Sequence, residues 1–202
     1  MVSVNINIEQ RQIDHINAML YSTPDKSKTV FRNALTRGMT AGKTQAAKEA
    51  RKRYDIKTGG LRANQTVKMR YIDLGRAMTG ELAFSGAKIP LYRFHPSPSA
   101  RKYTKRFVNG KHGWRVTAPV SAADLRGKMQ GRPDAFIATF RSKHTGIFRR
   151  TGQEKLKEYW GFSIADMLDY PDAREAVQQR SEEITAKRLD QELLRMLNGY
   201  GR

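Results

Sequence analysis

Two runs of residues past the middle of the chain decide its fold: DAFIATF at 134–140 and HTGIFRR at 144–150. The first run mixes large and small apolar residues between a proline and a charged segment, which is typical of a strand. Gly146 is expected to permit a turn, after which Ile147 and Phe148 resume the apolar pattern. Two short strands joined by a few residues that include glycine predict an antiparallel hairpin.

The side chains of this hairpin are expected to form part of the core. Strand alternation places Phe136 and Phe140 on one face and Ile137 on the other. Trp160 and Phe162, which follow soon afterwards, supply the largest apolar surfaces in this part of the chain. Because aromatic side chains bury large areas, the core is predicted to close here.

The sequence before the hairpin predicts helices first and strands afterwards. Polar and apolar residues alternate at 2–8, which predicts a half-buried strand. A short amphipathic helix is predicted at 9–20, and its apolar side consists of Ile13, Ile16, Met19 and Leu20. Thr23 and Pro24 predict the start of a long helix that reaches about residue 54. Further strands are predicted at 66–72, 78–84, 89–94 and 114–120, with a basic extended loop around 96–113.

The long helix contains Gly38 and Gly42, each of which costs roughly 1 kcal/mol relative to alanine. Close approach of another backbone would explain them, and so would a kink. The run GMTAGKT at 38–44 looks like a phosphate-binding loop, but it has three residues where that motif needs four, and no strand precedes it. The segment is therefore expected to be helix, with Lys43 dispensable for any nucleotide chemistry.

A second long helix is predicted at about 171–198, because Pro171 and Asp172 suit a helix start and Asn198-Gly199 suits an end. Its apolar residues change sides along its length. Either the helix is buried on two sides within one domain, or its last turns project to a neighbouring subunit. In the second case an interface is formed by Leu189, Leu193, Met196 and Leu197.

Composition predicts one domain with a large excess of positive charge. The 202 residues suffice for a single core, and no linker or repeat divides residues 1–202. The net charge is +19, with 30 Lys and Arg against 9 Asp and Glu in residues 1–153, and 8 against 10 in residues 154–202. Such a field favours polyanions or acidic protein surfaces. No apolar run approaches the ~20 residues that cross a bilayer, and no signal peptide opens the chain, so we expect a protein made in the cytoplasm without membrane contact.

One basic segment is a candidate interface, because it interleaves cations with aromatic residues: Arg101, Lys102, Tyr103, Lys105, Arg106 and Phe107. This composition suits phosphate contact combined with base stacking. A solvated loop is a second interpretation. The third is an arm that folds against an acidic protein neighbour.

No residue pattern predicts catalysis. The absence of cysteine excludes thiol chemistry, disulfides and Cys-ligated zinc. The four histidines lack metal-ligand spacing. Asp124 and Asp134 could be metal ligands of a nuclease, but salt bridges to nearby arginines are the plainer interpretation. We therefore expect no enzyme, with no catalytic, metal-binding or cofactor-binding residue and no cofactor.

Taken together, these segments resemble the phage minor tail protein Z, or tail-completion, family. The likeness rests on the AFIA strand at 135–138, the pattern G-I-F-R-R-x-G at 146–152, the aromatic-Gly-aromatic segment at 160–162 and the closing helix. It is strongest over Ala135–Leu197. The early long helix and the run IPLYRF at 89–94 add weaker support.

The resemblance implies a structural virion protein of a tailed bacteriophage, a neck component that completes the head-proximal end of the tail for head joining. It implies a homo-oligomeric ring, hexameric or a multiple, that contacts the tail terminator and the head-completion or connector proteins, with DNA near the channel. The expected fold is α+β, with an antiparallel or mixed sheet packed with the helices at 24–54 and 171–198. The rival hypothesis is a stand-alone basic nucleic-acid-binding protein.

Overall fold

The computed structural model describes residues 1–21, 24–57, 66–73, 78–97, 103–108, 111–116, 120–122, 130–132, 134–151 and 155–198. It confirms the α+β class and divides the chain into two compact units. Unit 1 consists of Met1–Ala50, Thr66–Ser85 and Leu168–Arg202, and unit 2 of Arg51–Gln65 and Gly86–Met167. The prediction of a single domain over residues 1–202 stays a prediction. The units interleave along the chain, which is why no linker is visible in the sequence.

Unit 1 contains three helices and a three-stranded antiparallel sheet. The helices are α1 (Gln10–Met19), α2 (Pro24–Arg53, whose last three residues belong to unit 2) and α4 (Pro171–Leu197). The strands are β1 (Val2–Ile6), β2 (Thr66–Asp73) and β3 (Met78–Ser85), in the order β1-β3-β2. All six elements lie within two residues of their predicted bounds.

The buried faces of β1 and α1 follow the predicted patterns, except at one residue. Alternate residues of β1 are buried, as expected for a strand with one face on the core. In α1, Ile13 and Ile16 are buried, and Leu20 is buried just after the helix. Met19, predicted on the same side, is 51% exposed. At ~100° per residue, Met19 continues the Ile16 row only loosely, and Leu20 takes the buried position four residues after Ile16.

The sheet of unit 1 packs on α2. Leu35 and Met39 of α2 approach the backbone of Gly80 in β3, where a Cβ would lie 3.2 Å from the Leu35 side chain. Leu82, also in β3, lies against Gly42 of α2. The side chains of Leu35, Met39 and Leu82 are all fully buried. This helix–sheet contact is the centre of the unit 1 core.

Helix α2 also packs closely against α4, through its two internal glycines. A Cβ on Gly38 would collide with the Thr185 side chain and would lie 2.8 Å from the Ser181 carbonyl oxygen. A Cβ on Gly42 would collide with the Ser181 hydroxyl. Ser181 and Thr185 are buried, and their hydroxyls donate to carbonyls one turn earlier in α4, at 2.7 and 2.8 Å. Close approach of a second backbone is therefore the reason for both glycines.

Unit 2 is built from short strands. The described ones are β4 (Tyr103–Val108), β5 (Lys111–Val116), β6 (Val120–Ala122), β7 (Gln130–Arg132), β8 (Ala135–Thr139), β9 (Thr145–Arg150) and β10 (Leu156–Glu158). They form a sheet in the order β10-β9-β8 and two separate hairpins, β4-β5 and β6-β7, all antiparallel. A 3-10 helix at Leu91–Arg93 and the short helix α3 (Ile164–Met167) complete the described elements.

The predicted strand at 89–94 is wrong. Ile89 accepts from the Gly161 N–H and donates to the Phe162 carbonyl, at 2.8 and 3.2 Å, as in an antiparallel pair. Pro90 then forms an isolated bridge to Trp160, and the chain turns into the 3-10 helix. The pairing passes residue 90, because the Leu91 N–H donates to the Tyr159 carbonyl at 2.9 Å, and it ends where the Arg93 N–H turns back to the Pro90 carbonyl.

The β8–β9 hairpin is confirmed, with Phe136 opposite Phe148 and Ile137 opposite Ile147. Its turn is made by residues 141–143, where Lys143 adopts φ 62°, and Phe140 and His144 close the loop through a 2.9 Å backbone bond. The expectation that Gly146 supplies the turn is wrong. Gly146 lies inside β9, where a Cβ would stand 2.8 Å from the Phe148 ring.

The core of unit 2 lies on the Ile137–Ile147 face of the hairpin, where both side chains are buried. Phe136 is only half-buried and Phe140 is 43% exposed, so the prediction that both sit in the core is wrong. Trp160, predicted to close the core, is 49% exposed. Phe162 does contribute, because its ring contacts the fully buried Tyr54 at 5.0 Å between centroids.

Within the described ranges, no helix combines the length and the apolar character that a membrane crossing requires.

Candidate functional site

The two units differ strongly in charge, and this difference locates the candidate site in unit 2. Unit 2 has 22 Lys and Arg against 6 Asp and Glu, a net charge of +16. Unit 1 has 16 against 13, a net charge of +3. The break that the sequence shows at residue 153 does not coincide with a boundary between the units, because residues 154–167 belong to unit 2.

The predicted basic segment lies in unit 2 and is partly a hairpin. Residues 103–108 form β4 and pair with β5, so the expected extended loop around 96–113 is wrong for these residues. β-branched and aromatic residues, which favour strands, are frequent in residues 103–108. Tyr103, Lys105, Arg106 and Phe107 belong to β4, with Lys105 opposite Trp114 and Phe107 opposite His112. Arg101 and Lys102 lie outside the described residues.

The predicted interface stripe on the last helix rests on a wrong premise. Leu189, Leu193 and Met196 are not left in water: they are 0%, 5% and 8% exposed within the chain. The polar residues Ser181 and Thr185 are also buried, and they lie between the apolar residues of the first and the second half of α4. The buried residues therefore form one continuous stripe along the helix, although the apolar residues alone suggest two separate faces. Leu197 is 48% exposed, and only for this residue of the four does a contact with another subunit stay a prediction.

One surface of the β8-β9-β10 sheet presents a cluster of aromatic rings around Phe148. Phe148 itself is buried, with the Phe140 ring edge-on to it at 5.0 Å and the Phe136 ring at 6.5 Å. The Arg150 guanidinium lies 5.7 Å from the Phe136 ring. Nearby, His144 and the Glu158 carboxylate are 2.8 Å apart. We call these residues the aromatic face.

On the opposite surface of the same sheet, cations gather around Tyr159. The guanidinium carbon of Arg132 lies 4.7 Å from the Tyr159 ring centroid, and that of Arg149 lies 5.8 Å from it. Lys157 is the β10 partner of Arg149, so it shares the same face. The Tyr159 hydroxyl donates to the Asp134 carboxylate at 3.1 and 3.3 Å. We call this group the Tyr159 cluster.

Sequence reasoning missed the Tyr159 cluster. It expected Asp134 to form a salt bridge to a nearby arginine, whereas the partner of Asp134 is the hydroxyl of Tyr159. Alternation along β9 and β10 does place Arg149, Lys157 and Tyr159 on one face once the pairing is known. The register between two strands is a tertiary property, so no signal within either strand would have revealed it.

Other motifs examined in the sequence show no binding chemistry. Residues 38–44 lie within α2, as predicted, and the Thr44 hydroxyl donates to the Thr40 carbonyl one turn earlier. Among the described residues, no group of three or more His, Asp or Glu side chains is arranged to hold a metal ion. The Ser163 backbone N–H and hydroxyl donate to the Asp166 carboxylate at 2.9 and 2.8 Å, and they lower the pKa of Asp166. Asp166 thereby caps α3 and has a structural role.

An open cleft of about 490 Å³ lies in unit 1 between the start of α1 and the middle of α4. Three carboxylates line it, and two of them already have partners within α4: Glu182 accepts from Gln178, and Glu183 pairs with Arg180. The cleft is therefore a polar surface whose groups are largely satisfied.

Comparison with known proteins gives no match: no family model, no curated protein and no solved structure matches this chain.

Proposed function

We propose that the protein is a structural component of a tailed bacteriophage particle, acting in tail completion at the neck. In this role it forms a ring at the head-proximal end of the tail and contacts the tail terminator and the head-completion or connector proteins. It performs no reaction. Its work is to present docking surfaces.

The observation that carries the proposal is the concentration of charge in one unit. Unit 2 has 22 Lys and Arg against 6 Asp and Glu, whereas unit 1 is nearly balanced. A compact body with such an excess attracts acidic surfaces or polyanions. A neck, where protein rings surround packaged DNA, supplies both kinds of partner.

The segments that carry the resemblance also form structural elements that support a docking role. The AFIA and GIFRR segments pair as β8 and β9, and β9 pairs with β10. The sheet exposes Phe140 and Leu156, which are 43% and 39% accessible. Aromatic residues and arginine are the types most enriched in protein interfaces.

The test is genetic and microscopic. If the reading frame is deleted from the phage genome that carries it, the lysate should contain filled heads and separate tails, and adding the purified protein should restore joined particles. Electron microscopy of intact particles should then locate the protein in a ring at the neck. Normal infectious particles from the deletion would refute the proposal.

The second candidate is a stand-alone nucleic-acid-binding protein, and it is favoured by the pairing of the basic strand β4 with β5, whose residues include Trp114 and Arg115. Such a protein binds DNA in solution without other virion proteins, and log K falls linearly with log salt. Binding measured from 50 to 200 mM salt distinguishes the two candidates, since a neck protein needs its ring partners for stable attachment.

A further inference from the structure

We propose that the Tyr159 cluster is a binding site for a phosphate group. The proposal goes beyond the neck role, because it assigns a ligand chemistry to three cations, Arg132, Arg149 and Lys157, and to the Tyr159 ring that holds the arginines. It can be tested independently of that role, since a virion protein can dock without binding phosphate.

The first step of the argument is the gathering of like charges. Arg132 and Arg149 both lie within 5.8 Å of the same ring centroid, and Lys157 is the direct cross-strand neighbour of Arg149. Lys157 is exposed, while the two arginines are half-buried. Like charges placed directly opposite each other on a sheet destabilise the strand pair. The fold thus keeps Arg149 and Lys157 opposite each other at a cost, and it places Arg132 against the same tyrosine ring as Arg149.

The second step is that the cluster lacks compensating negative charge. Among the described residues Asp134 is the only carboxylate in it, so one negative charge, which accepts from the Tyr159 hydroxyl, stands against three cations. In the part of the chain that the structure describes, neither Arg132 nor Arg149 forms an ion pair. Moreover, the Arg132 Nε is buried without a hydrogen-bond partner. A buried donor without a partner is rare, so the hydrogen-bonding capacity of this guanidinium is not fully met by the described residues.

The third step is the choice of phosphate. A guanidinium group presents a planar fork of donors that matches two oxygens of a phosphate, and stacking on an aromatic ring holds that fork in place. Tyr159 supplies such a ring for both arginines. A phosphate also carries more negative charge than a single carboxylate when it is free or a monoester. In a nucleic acid the same non-bridging oxygens recur along the backbone.

The experiment compares Arg149→Gln with Arg150→Gln. These adjacent residues of β9 lose the same charge when changed, but they lie on opposite faces of the sheet, since Arg150 contacts the aromatic face. Two probes are titrated. Binding of inorganic phosphate is measured by ³¹P line broadening, with chloride at equal ionic strength as the control. Binding of a labelled DNA duplex is measured by fluorescence anisotropy. We expect Arg149→Gln to bind at least one probe about tenfold more weakly than Arg150→Gln.

The two probes separate the sources of the phosphate. A difference with inorganic phosphate indicates a site for a free or terminal phosphate group. A difference with DNA alone indicates a site for the phosphodiester backbone. Equal losses in the two variants, or no loss in either, would overturn the proposal, because general charge attraction would then explain the binding.

Two further variants keep the test decisive if Arg149→Gln folds poorly. Arg149→Lys retains the charge but not the fork, so it should bind more weakly than the unchanged protein. Asp134→Asn removes the competing carboxylate, so it should bind more tightly by severalfold. Weaker binding by Asp134→Asn, with an unchanged circular dichroism spectrum, would also overturn the proposal.

Discussion

The two units of this protein differ in how their cores are packed and in how much net charge they have. Unit 1 packs two long helices and a sheet through small residues and a continuous apolar stripe, and its charge is nearly balanced. Unit 2 uses short strands, aromatic rings and cations, and it holds +16 of the net charge. Because self-repulsion opposes a compact state, a charge of this size is expected where binding matters more than stability. We infer that unit 1 provides stability and unit 2 provides docking.

Spectroscopy can follow the units separately. Both tryptophans, Trp114 and Trp160, belong to unit 2, and unit 1 has none. Nearly all residues of the long helices belong to unit 1. Tryptophan fluorescence therefore reports on unit 2, and the far-ultraviolet helical signal reports mainly on unit 1.

The largest effect is expected from truncating the chain after Ala186. The truncation removes Leu189, Leu193 and Met196, all buried in unit 1. Losing one buried side chain of this size costs about 2–5 kcal/mol, so losing three approaches the whole stability of a typical domain, about 5–15 kcal/mol. The helical signal should collapse in thermal melts.

A matched control changes the exposed residues of the same turns. Leu194 and Leu197 are 59% and 48% exposed, and replacing both with serine should shift stability by about 0.5 kcal/mol or less. If this control alone prevents ring assembly, the interface predicted for Leu197 gains support. A truncated chain that melts like the intact one would contradict the buried stripe.

In unit 2, Phe148→Ala should cost about 3–5 kcal/mol, because Phe148 is buried at the centre of the aromatic face. Phe136→Ala should cost roughly half as much, since Phe136 is only half-buried. Denaturant unfolding followed by tryptophan fluorescence measures both. If Phe136→Ala proved the more harmful change, Phe148 would not be the more deeply buried of the two rings on this face.

Replacing Gly38 or Gly42, where α2 packs against α4, with alanine should lower the free energy of unfolding by about 1–3 kcal/mol. For Gly42→Ala the nearest obstacle is the Ser181 hydroxyl, so adding Ser181→Ala should restore much of the loss. For Gly38→Ala a backbone oxygen stands 2.8 Å from the new methyl group, so Thr185→Ala should restore little. A double-mutant cycle on the helical signal measures both couplings. Stabilisation by either alanine would show that α2 and α4 are not in close contact.

The smallest effect concerns Asp166, whose pKa is lowered chiefly by the Ser163 backbone N–H and then by the Ser163 hydroxyl. A lowered pKa means that the charged carboxylate stabilises the fold above the ordinary value of about 4, and that this stabilisation disappears as the pH falls through the lower folded value. Asp166→Asn should cost about 1 kcal/mol at pH 7, as for other helix caps, and this cost should decrease as the pH falls below the ordinary pKa of the carboxyl. A difference that stays constant between pH 7 and pH 3 would exclude this role.

Much of the fold was predictable because it depends on local patterns. Period-two alternation identified β1, and proline and asparagine marked the ends of α4. The predictions that were wrong concern residues whose structure depends on contacts with another segment and not on the local sequence pattern. The 89–94 segment looks like a strand, yet it pairs only as far as Leu91 and then turns into a 3-10 helix. Gly146 looks like a turn residue, yet it makes room for the Phe148 ring.

The candidate site was less predictable than the fold. Sequence identified a basic excess and the cation–aromatic run at 101–107. It missed the Tyr159 cluster, because Arg132, Arg149 and Tyr159 are brought together by three different segments. The apparent change of face in α4 was misinterpreted for a related reason. Ser181 and Thr185 are polar, so nothing in the sequence marks them as buried.

The sequence by itself determined the class of the protein: α+β, with two long helices and a net charge of +19. These properties follow from residue type and periodicity, which act over a few neighbouring positions. Only the tertiary structure decided that the charge is concentrated in unit 2, that the helix end is buried and that cations surround Tyr159. Those outcomes depend on which distant segments meet, and that is set by strand register and by the close fit of glycine against serine and threonine.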